Sequence, residues 1–196
     1  LYGKTVTADE LLPVLCEGSD FYRNSGGGVT LSGGECLLQS DFCAQLLRRL
    51  KERGIHTAVD TCGDVPKNAI NAVLPYTDVF LYDIKAIDPS VHMRCTGRPN
   101  RRILDNLHYI DAQEKAIEIR IPYVPGYNDG QMDKIAAYIR GLRHLTKVRL
   151  LPYHRYAASK YSALGLPDTL PPRMPSDAEA ADARALLRTY GLPVAD

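Results

Sequence analysis

The stretch VTLSGGECLLQS, residues 29–40, decides how the rest of the chain is read. A β-branched run meets two glycines and a glutamate, and an apolar, helix-like segment follows. The backbone is therefore bared at the end of a strand, where something can approach it closely. Three readings are open at this point: a nucleotide-signature motif, a structural turn, or a cradle for another small molecule.

Outward from this stretch, two periodicities alternate. Short β-branched runs occupy residues 28–32, 55–61, 79–84, 116–121 and 147–151, with amphipathic stretches between them. This βαβα series predicts parallel strands joined by helices, either as an open doubly wound sheet or as a (β/α) barrel. SDFCAQLLRRLKERG offers Ser40 as an N-cap, Phe42, Leu46, Leu47 and Leu50 on one face, basic residues late, and Gly54 as the stop. Similar patterns predict helices over residues 100–111, 131–145 and 176–190. Thr7 and Glu10 have the spacing of a capping box, so a helix opens the chain, although Pro13 weakens its next turn. A βαβα series that opens on a helix lacks the strand expected before it, and residue 1 is Leu. The expectation is a chain whose N-terminal portion is missing. No repeat, linker or low-complexity segment interrupts the pattern, which predicts a single domain over residues 1–196.

Residues capable of chemistry gather just after the apolar runs. The first run ends in Ser32, Gly33, Gly34 and Glu35, and the second in Asp60, Thr61, Cys62 and Gly63. The third carries Asp83 and Lys85, the fourth ends near Arg120, and the fifth delivers Pro152, Tyr153 and His154. Parallel α/β folds bind ligands at the carboxyl ends of their strands, because the loops converge there while helices cover the sides. Each residue has a bland explanation alone: Asp60 can cap a turn, Lys85 can be a solvated charge, and a single histidine is commonly structural. Their shared placement predicts one site. The LSGGE letters resemble the signature of ATP-binding cassette proteins, but that reading fails on context. The chain has no G-x-x-x-x-G-K-[ST], and CLLQS replaces the residues expected after the signature.

The totals narrow the partners. The 196 residues are 45% apolar, enough for a buried core, and 24 Lys and Arg balance 23 Asp and Glu without long blocks of one sign. Nothing favours a nucleic-acid or acidic-membrane surface, which leaves small molecules or another protein. No apolar run is long enough to span a bilayer and no secretory signal is visible, so the chain reads as cytoplasmic. Its five cysteines, Cys16, Cys36, Cys43, Cys62 and Cys95, include no C-x-x-C and no C-x-x-x-C-x-x-C. Neither a disulfide framework nor a zinc or iron–sulfur site is written in them, and each singly reads as a reduced, packed small residue.

Five blocks in order, SGGGVTLSGGECLLQ, VDTCG, LYDIKAIDPSVHMRCTGRPNRRILDN, IRIPYVPGYND and LLPYHRYAASKYSALG, closely resemble the glycyl radical enzyme activating enzymes of the pyruvate formate-lyase activating type. These belong to the radical S-adenosylmethionine superfamily. The resemblance implies an α/β fold, a radical SAM (β/α)6 partial TIM barrel, here lacking its first strand and cluster loop. It implies that Gly33, Gly34 and Glu35, with Ser32, hold the methionyl amine of S-adenosyl-L-methionine. Asp60, Lys85, Arg120 and His154 fall at positions of the cofactor pocket, and Asp83 with Thr61 at positions that can help hold a cation.

The implied chemistry is reductive cleavage of S-adenosyl-L-methionine at a [4Fe-4S] cluster. The adenosyl radical then takes a hydrogen atom from a backbone glycine of a partner glycyl radical enzyme, with electrons from an external donor such as flavodoxin or ferredoxin. The segments YVPGYND and the residues after His154 would lie where the partner enters. The chain departs from the family in three places. The cysteine loop that ligates three irons is absent, so this polypeptide is expected to be an inactive fragment. Cys36 replaces a proline or another small residue, and Ala157 stands where a glycine often follows PYH. Two other functions compete: a (β/α) barrel lyase using Lys85 as a Schiff-base amine, which the neighbouring Asp83 disfavours, and a non-catalytic module that docks a glycyl radical enzyme.

Overall fold

The computed structural model describes residues 4–157, 165, 167 and 169–195. In chain order the elements are α1 (Ala8–Cys16), α2 (Ser19–Ser25), β1 (Gly28–Leu31), α3 (Ser40–Lys51), β2 (His56–Thr61), α4 (Lys67–Val73) and β3 (Val79–Asp83). There follow α5 (Pro89–Thr96), α6 (Arg101–Ala112), β4 (Ala116–Tyr123), α7 (Met132–Ile139), β5 (Leu145–Pro152) and α8 (Asp177–Thr189). The strands form a five-stranded sheet in sequence order, as the alternating pattern predicts. The register is parallel from β1 to β3: Val29 lies opposite Thr57, and Asp60 opposite Leu81.

The chain groups into two compact units, Leu1–Tyr82 with Arg102–Ile117, and Asp83–Arg101 with Glu118–Asp196. In the first, α1 begins with the predicted capping box: Glu10 N donates to Thr7 Oγ1 at 3.3 Å while Thr7 N donates to Glu10 Oε2 at 2.7 Å. The helix runs on past Pro13 to Cys16, so the proline is carried inside it. Ala8 and Leu12 of α1 pack with Val29, Leu46, Leu50 and Ile55, joining α1, β1 and the apolar face of α3. That face is the one the leucine spacing predicts. The start of α3 differs from expectation: Ser40 is its first residue and Gln39 its cap, because a 3-10 turn over Cys36–Gln39 precedes it. Glu35, not Ser40, uses its side chain as the cap at this junction.

The turn after β2 is pinned into the core of the same unit. Gly63 has φ +73°, and a Cβ there would lie 1.7 Å from Tyr82 Oη, so the position needs glycine on both counts. Tyr82 is itself fixed, its hydroxyl donating to Ile103 O at 2.6 Å. Buried Asn106 on α6 donates to Gly63 O and to Val65 O, each at 2.9 Å.

In the second unit, Ile119 and Ile121 of β4, Ile135 and Ile139 of α7, Val148 of β5 and Leu187 of α8 are all fully buried. α8 starts at the predicted Ser176, again through a capping box, with Glu179. α7 is shorter than predicted: it ends at Ile139, ahead of Gly141, and β5 already begins at Leu145. The outer edge of β5 is covered, Val148 N donating to Pro193 O and Ala195 N to Val148 O, each at 2.9 Å. α2, α4 and α5 have no counterpart in the sequence reading. Among the described residues no helix is long and apolar enough to cross a membrane.

Asn106→Ala would strand two buried carbonyls at once. It should lower unfolding free energy by about 1–3 kcal/mol in urea denaturation. A change below about 0.5 kcal/mol, the level of a surface substitution, would show that this bracket does not hold the turn.

Candidate functional site

In the first unit, β1 ends at Leu31 and the chain turns through Ser32, Gly33, Gly34 and Glu35 before the 3-10 turn. Both ends of this turn are fastened to the end of β2. Ser32 Oγ donates to Asp60 Oδ2 at 2.8 Å. Glu35 Oε1 accepts from Thr61 Oγ1 at 2.8 Å and from Leu37 N at 3.2 Å, while Oε2 accepts from Cys62 N at 3.0 Å and from the Cys62 thiol at 3.3 Å. Thr61 Oγ1 in turn accepts from Gly63 N at 2.9 Å. An ionised carboxylate has about four acceptor positions, so the protein itself fills those of Glu35.

Between the fastened ends lie the two glycines, and both are exposed. Gly33 has φ +143°, in the region that L side chains rarely adopt. Gly34 has no such constraint, and a Cβ built at either residue would meet no atom within 4 Å. Packing therefore does not explain Gly34, unlike Gly63. The bare backbone faces open space, which is what close approach of a ligand requires.

In the second unit, Asp83 at the end of β3 stands between two cations. Its Oδ2 accepts from Lys85 Nζ at 3.3 Å, and its Oδ1 lies 3.6 Å from Arg120 Nε. That ion pair is longer than a hydrogen bond, and Oδ1 is buried without a hydrogen-bond partner in the structure. The carbonyl of Arg120 also accepts from the amide of Ile84, the residue after β3, at 2.9 Å. Exposed His154, after β5, holds its ring 4.0 Å from that of Tyr156 at 36°. Residues 158–164 of the last matching block lie outside the described residues.

Ser32, Gly33, Gly34, Glu35, Asp60 and Thr61 are thus brought together in one unit, and Asp83, Lys85 and Arg120 in the other. Buried Asn128, which sequence reading passed over, organises the YVPGYND loop. Its Nδ2 donates to Lys85 O at 2.8 Å and to Pro122 O at 2.6 Å, and its Oδ1 accepts from Val124 N at 2.8 Å. Beside it a cavity of about 430 Å³ is lined by Lys85, Arg94, Cys95, Tyr127 and Pro171, among others. An Asn two residues after the loop's glycine was the available signal.

The family described as Radical SAM superfamily matches residues 2–139. The chain is 38% identical to the choline trimethylamine-lyase activating enzyme of Oleidesulfovibrio alaskensis, over 98% of this chain and 64% of that protein. It is 36% identical to the pyruvate formate-lyase-activating enzyme of Staphylococcus aureus, over 95% of this chain and 76% of that protein. Among solved structures, a domain of pyruvate-formate lyase-activating enzyme from Bacteroides vulgatus superposes with a TM-score of 0.72 at 31% identity, covering 86% of this chain and 98% of that one. The chain therefore spans only about two thirds of the first relative and three quarters of the second.

Two substitutions separate fastening from approach. Gly34→Ala should leave unfolding free energy within about 0.5 kcal/mol of the parent, since open space surrounds the added methyl. Glu35→Ala, which leaves Leu37 N, Thr61 Oγ1 and Cys62 N without their acceptor, should lower it by about 1–3 kcal/mol. Equal losses in both variants, measured by urea denaturation, would contradict this division.

Proposed function

The chain belongs to the radical SAM superfamily, among the glycyl radical enzyme activating enzymes, and from that we propose that it serves to place a glycyl radical on a partner enzyme. Its α/β architecture with a five-stranded sheet agrees with the partial barrel of that family. The observation that carries the proposal is the Ser32–Glu35 turn. It is fastened at both ends and bare in the middle, and its glycines are not there for packing.

This turn fits S-adenosylmethionine, the cofactor the family uses. Backbone carbonyls at Gly33 and Gly34 can accept from the methionyl ammonium with no Cβ in the way, and the Asp60 carboxylate adds negative charge beside them. In the second unit, Lys85 and Arg120 offer cationic donors for a carboxylate, Asp83 can meet a cation, and His154 can hydrogen-bond a hydroxyl or a base edge. When bound and reduced, the cofactor supplies the species that removes a hydrogen atom from glycine. The work of the Ser32–Glu35 turn is to hold its methionyl end in one orientation. A misplacement of about 1 Å can slow such a reaction a hundredfold.

The family also uses a [4Fe-4S] cluster, and the thiols of this chain do not fit one. Cys36 and Cys43 adjoin each other, Cys62 donates to Glu35, Cys16 ends α1, and Cys95 lies on α5 in the other unit. Among the described residues no three His, Cys, Asp or Glu side chains group as a metal site.

The partner we propose is a glycyl radical enzyme, with an external electron donor such as flavodoxin or ferredoxin. The Schiff-base reading is disfavoured by geometry, since the Lys85 amine is ion-paired with Asp83 at 3.3 Å. Docking without chemistry is the reading that the activity test below separates.

Isothermal calorimetry of S-adenosylmethionine with the folded chain should show binding that Gly34→Ala or Asp60→Ala each weakens, by about 1–3 kcal/mol where a charge-assisted hydrogen bond is lost. Binding indifferent to both would place the cofactor elsewhere. The protein as its gene encodes it, given reductant, S-adenosylmethionine and its partner, should yield a glycyl radical by electron paramagnetic resonance. Partner binding with no radical and no 5′-deoxyadenosine would favour the docking module.

A further inference from the structure

Two of the five thiols meet behind the glycine turn, in an arrangement that packing does not demand. Cys36 opens the 3-10 turn directly after Glu35, and Cys43 lies in the first turns of α3. The Cys43 thiol donates to the backbone carbonyl of Cys36 at 3.2 Å, which brings the two residues together. The Cys36 thiol also faces two carbonyls, Leu31 O at 3.5 Å and Asp60 O at 3.4 Å, which favour its protonated form. Both cysteines line one cavity of about 280 Å³, otherwise walled mainly by apolar side chains such as Leu11, Leu15 and Phe42. That cavity gives a small neutral oxidant a way to Cys43, which is otherwise buried.

The two thiols differ in acidity. The hydrogen bond from Cys36 lowers the pKa of Cys43, and the N-terminal end of α3 acts in the same direction. Cys36 is pushed the other way, by its contact with Cys43, then by burial, then by the carboxylates of Glu35 and Asp60. Of the two thiols, Cys43 is thereby the readier to lose its proton. Elsewhere, the Cys62 thiol donates to Glu35, and burial raises the pKa of Cys95.

We propose that Cys36 and Cys43 form a redox dithiol that closes to a disulfide on reaction with a hydroperoxide. The Cys43 thiolate attacks one oxygen of hydrogen peroxide, the O–O bond breaks, and the departing hydroxide takes the proton that the Cys43 thiol released and leaves as water, so that Cys43 carries S–OH. The Cys36 sulfur then attacks the Cys43 sulfur, the S–O bond breaks, and the Cys36 proton leaves with that oxygen as a second water. Two thiols lose two electrons and two protons, and hydrogen peroxide is reduced to two waters. The new bond encloses the 3-10 turn and the start of α3, next to the residue that fastens the glycine turn.

Peptide mapping after peroxide tests this directly. Residues 24–48 contain no internal Lys or Arg, so both thiols fall in one tryptic peptide. The reduced protein is treated anaerobically with hydrogen peroxide, blocked with N-ethylmaleimide and digested. That peptide should emerge unlabelled and lighter by two hydrogens, while Cys16 and Cys95 remain labelled, and dithiothreitol should restore labelling. The pair should react on the order of tenfold faster than Cys16 or Cys95. Cys36→Ser should leave Cys43 as a sulfenic acid trapped by dimedone, and Cys43→Ser should leave Cys36 a maleimide-reactive thiol. Maleimide on both thiols after peroxide, or a pair no faster than Cys16 and Cys95, would overturn the proposal. The parent peptide map gives this answer even if a serine variant fails to fold.

Discussion

The Glu35 carboxylate accepts from two backbone amides, a hydroxyl and a thiol, and these bonds decide how the first unit presents its glycines. A half-buried carboxylate without donors would be expensive, and one with its acceptor positions filled is a rigid fastener. Glu35 draws the start of the 3-10 turn onto the end of β2, while Ser32 is drawn to Asp60 at the other side. The two intervening glycines can then stand bare without the loop collapsing. Carboxylate and glycines divide the work: the acid holds the loop, and the backbone is left for whatever approaches.

That fastening is only as firm as its anchor, which reaches into the core. Thr61 bonds both Glu35 and Gly63 N, Asn106 holds the carbonyls of Gly63 and Val65, and the Tyr82 hydroxyl fills the space a Cβ at Gly63 would need. A chain of short bonds thus runs from the exposed loop through the end of β2 to α6. Networks of this kind restrict a loop to one geometry more than they add net stability. For a reaction sensitive to placement, geometry is the more valuable outcome. In the second unit Asn128 does comparable work, clamping the YVPGYND loop to the backbone of Lys85.

Much of this was legible in the sequence, and the unread parts have physical reasons. All five strands fall where the β-branched runs predict, because a strand buried in a parallel sheet must be apolar. Both capping boxes were read or lay at a predicted start, since their spacing is local. The short helices were missed because two turns carry too little periodicity. α5 nonetheless advertised itself with Asp88 as cap, Pro89 at the first position and Gly97 as stop. Ser40 has cap chemistry, but long-range bonds to Thr61 and Cys62 make Glu35 the better cap, and no local rule carries that information. The meeting of Cys36 with Cys43 needed the 3-10 turn to bring the chain round, so each thiol read alone looked inert. That Ser32 would meet Asp60, and Glu35 Thr61, was legible as strand-end placement, whereas the saturation of Glu35 could only be seen in three dimensions.

Amide hydrogen exchange at Leu37 and Cys62 tests the Glu35 fastener most directly, because both amides donate to that carboxylate. In the parent protein both should exchange slowly for groups at a partly exposed turn. In Glu35→Ala both should lose protection together while the paired amides of β1 and β2 keep theirs. Unprotected Leu37 and Cys62 amides in the parent, or protection unchanged in the variant, would contradict the account.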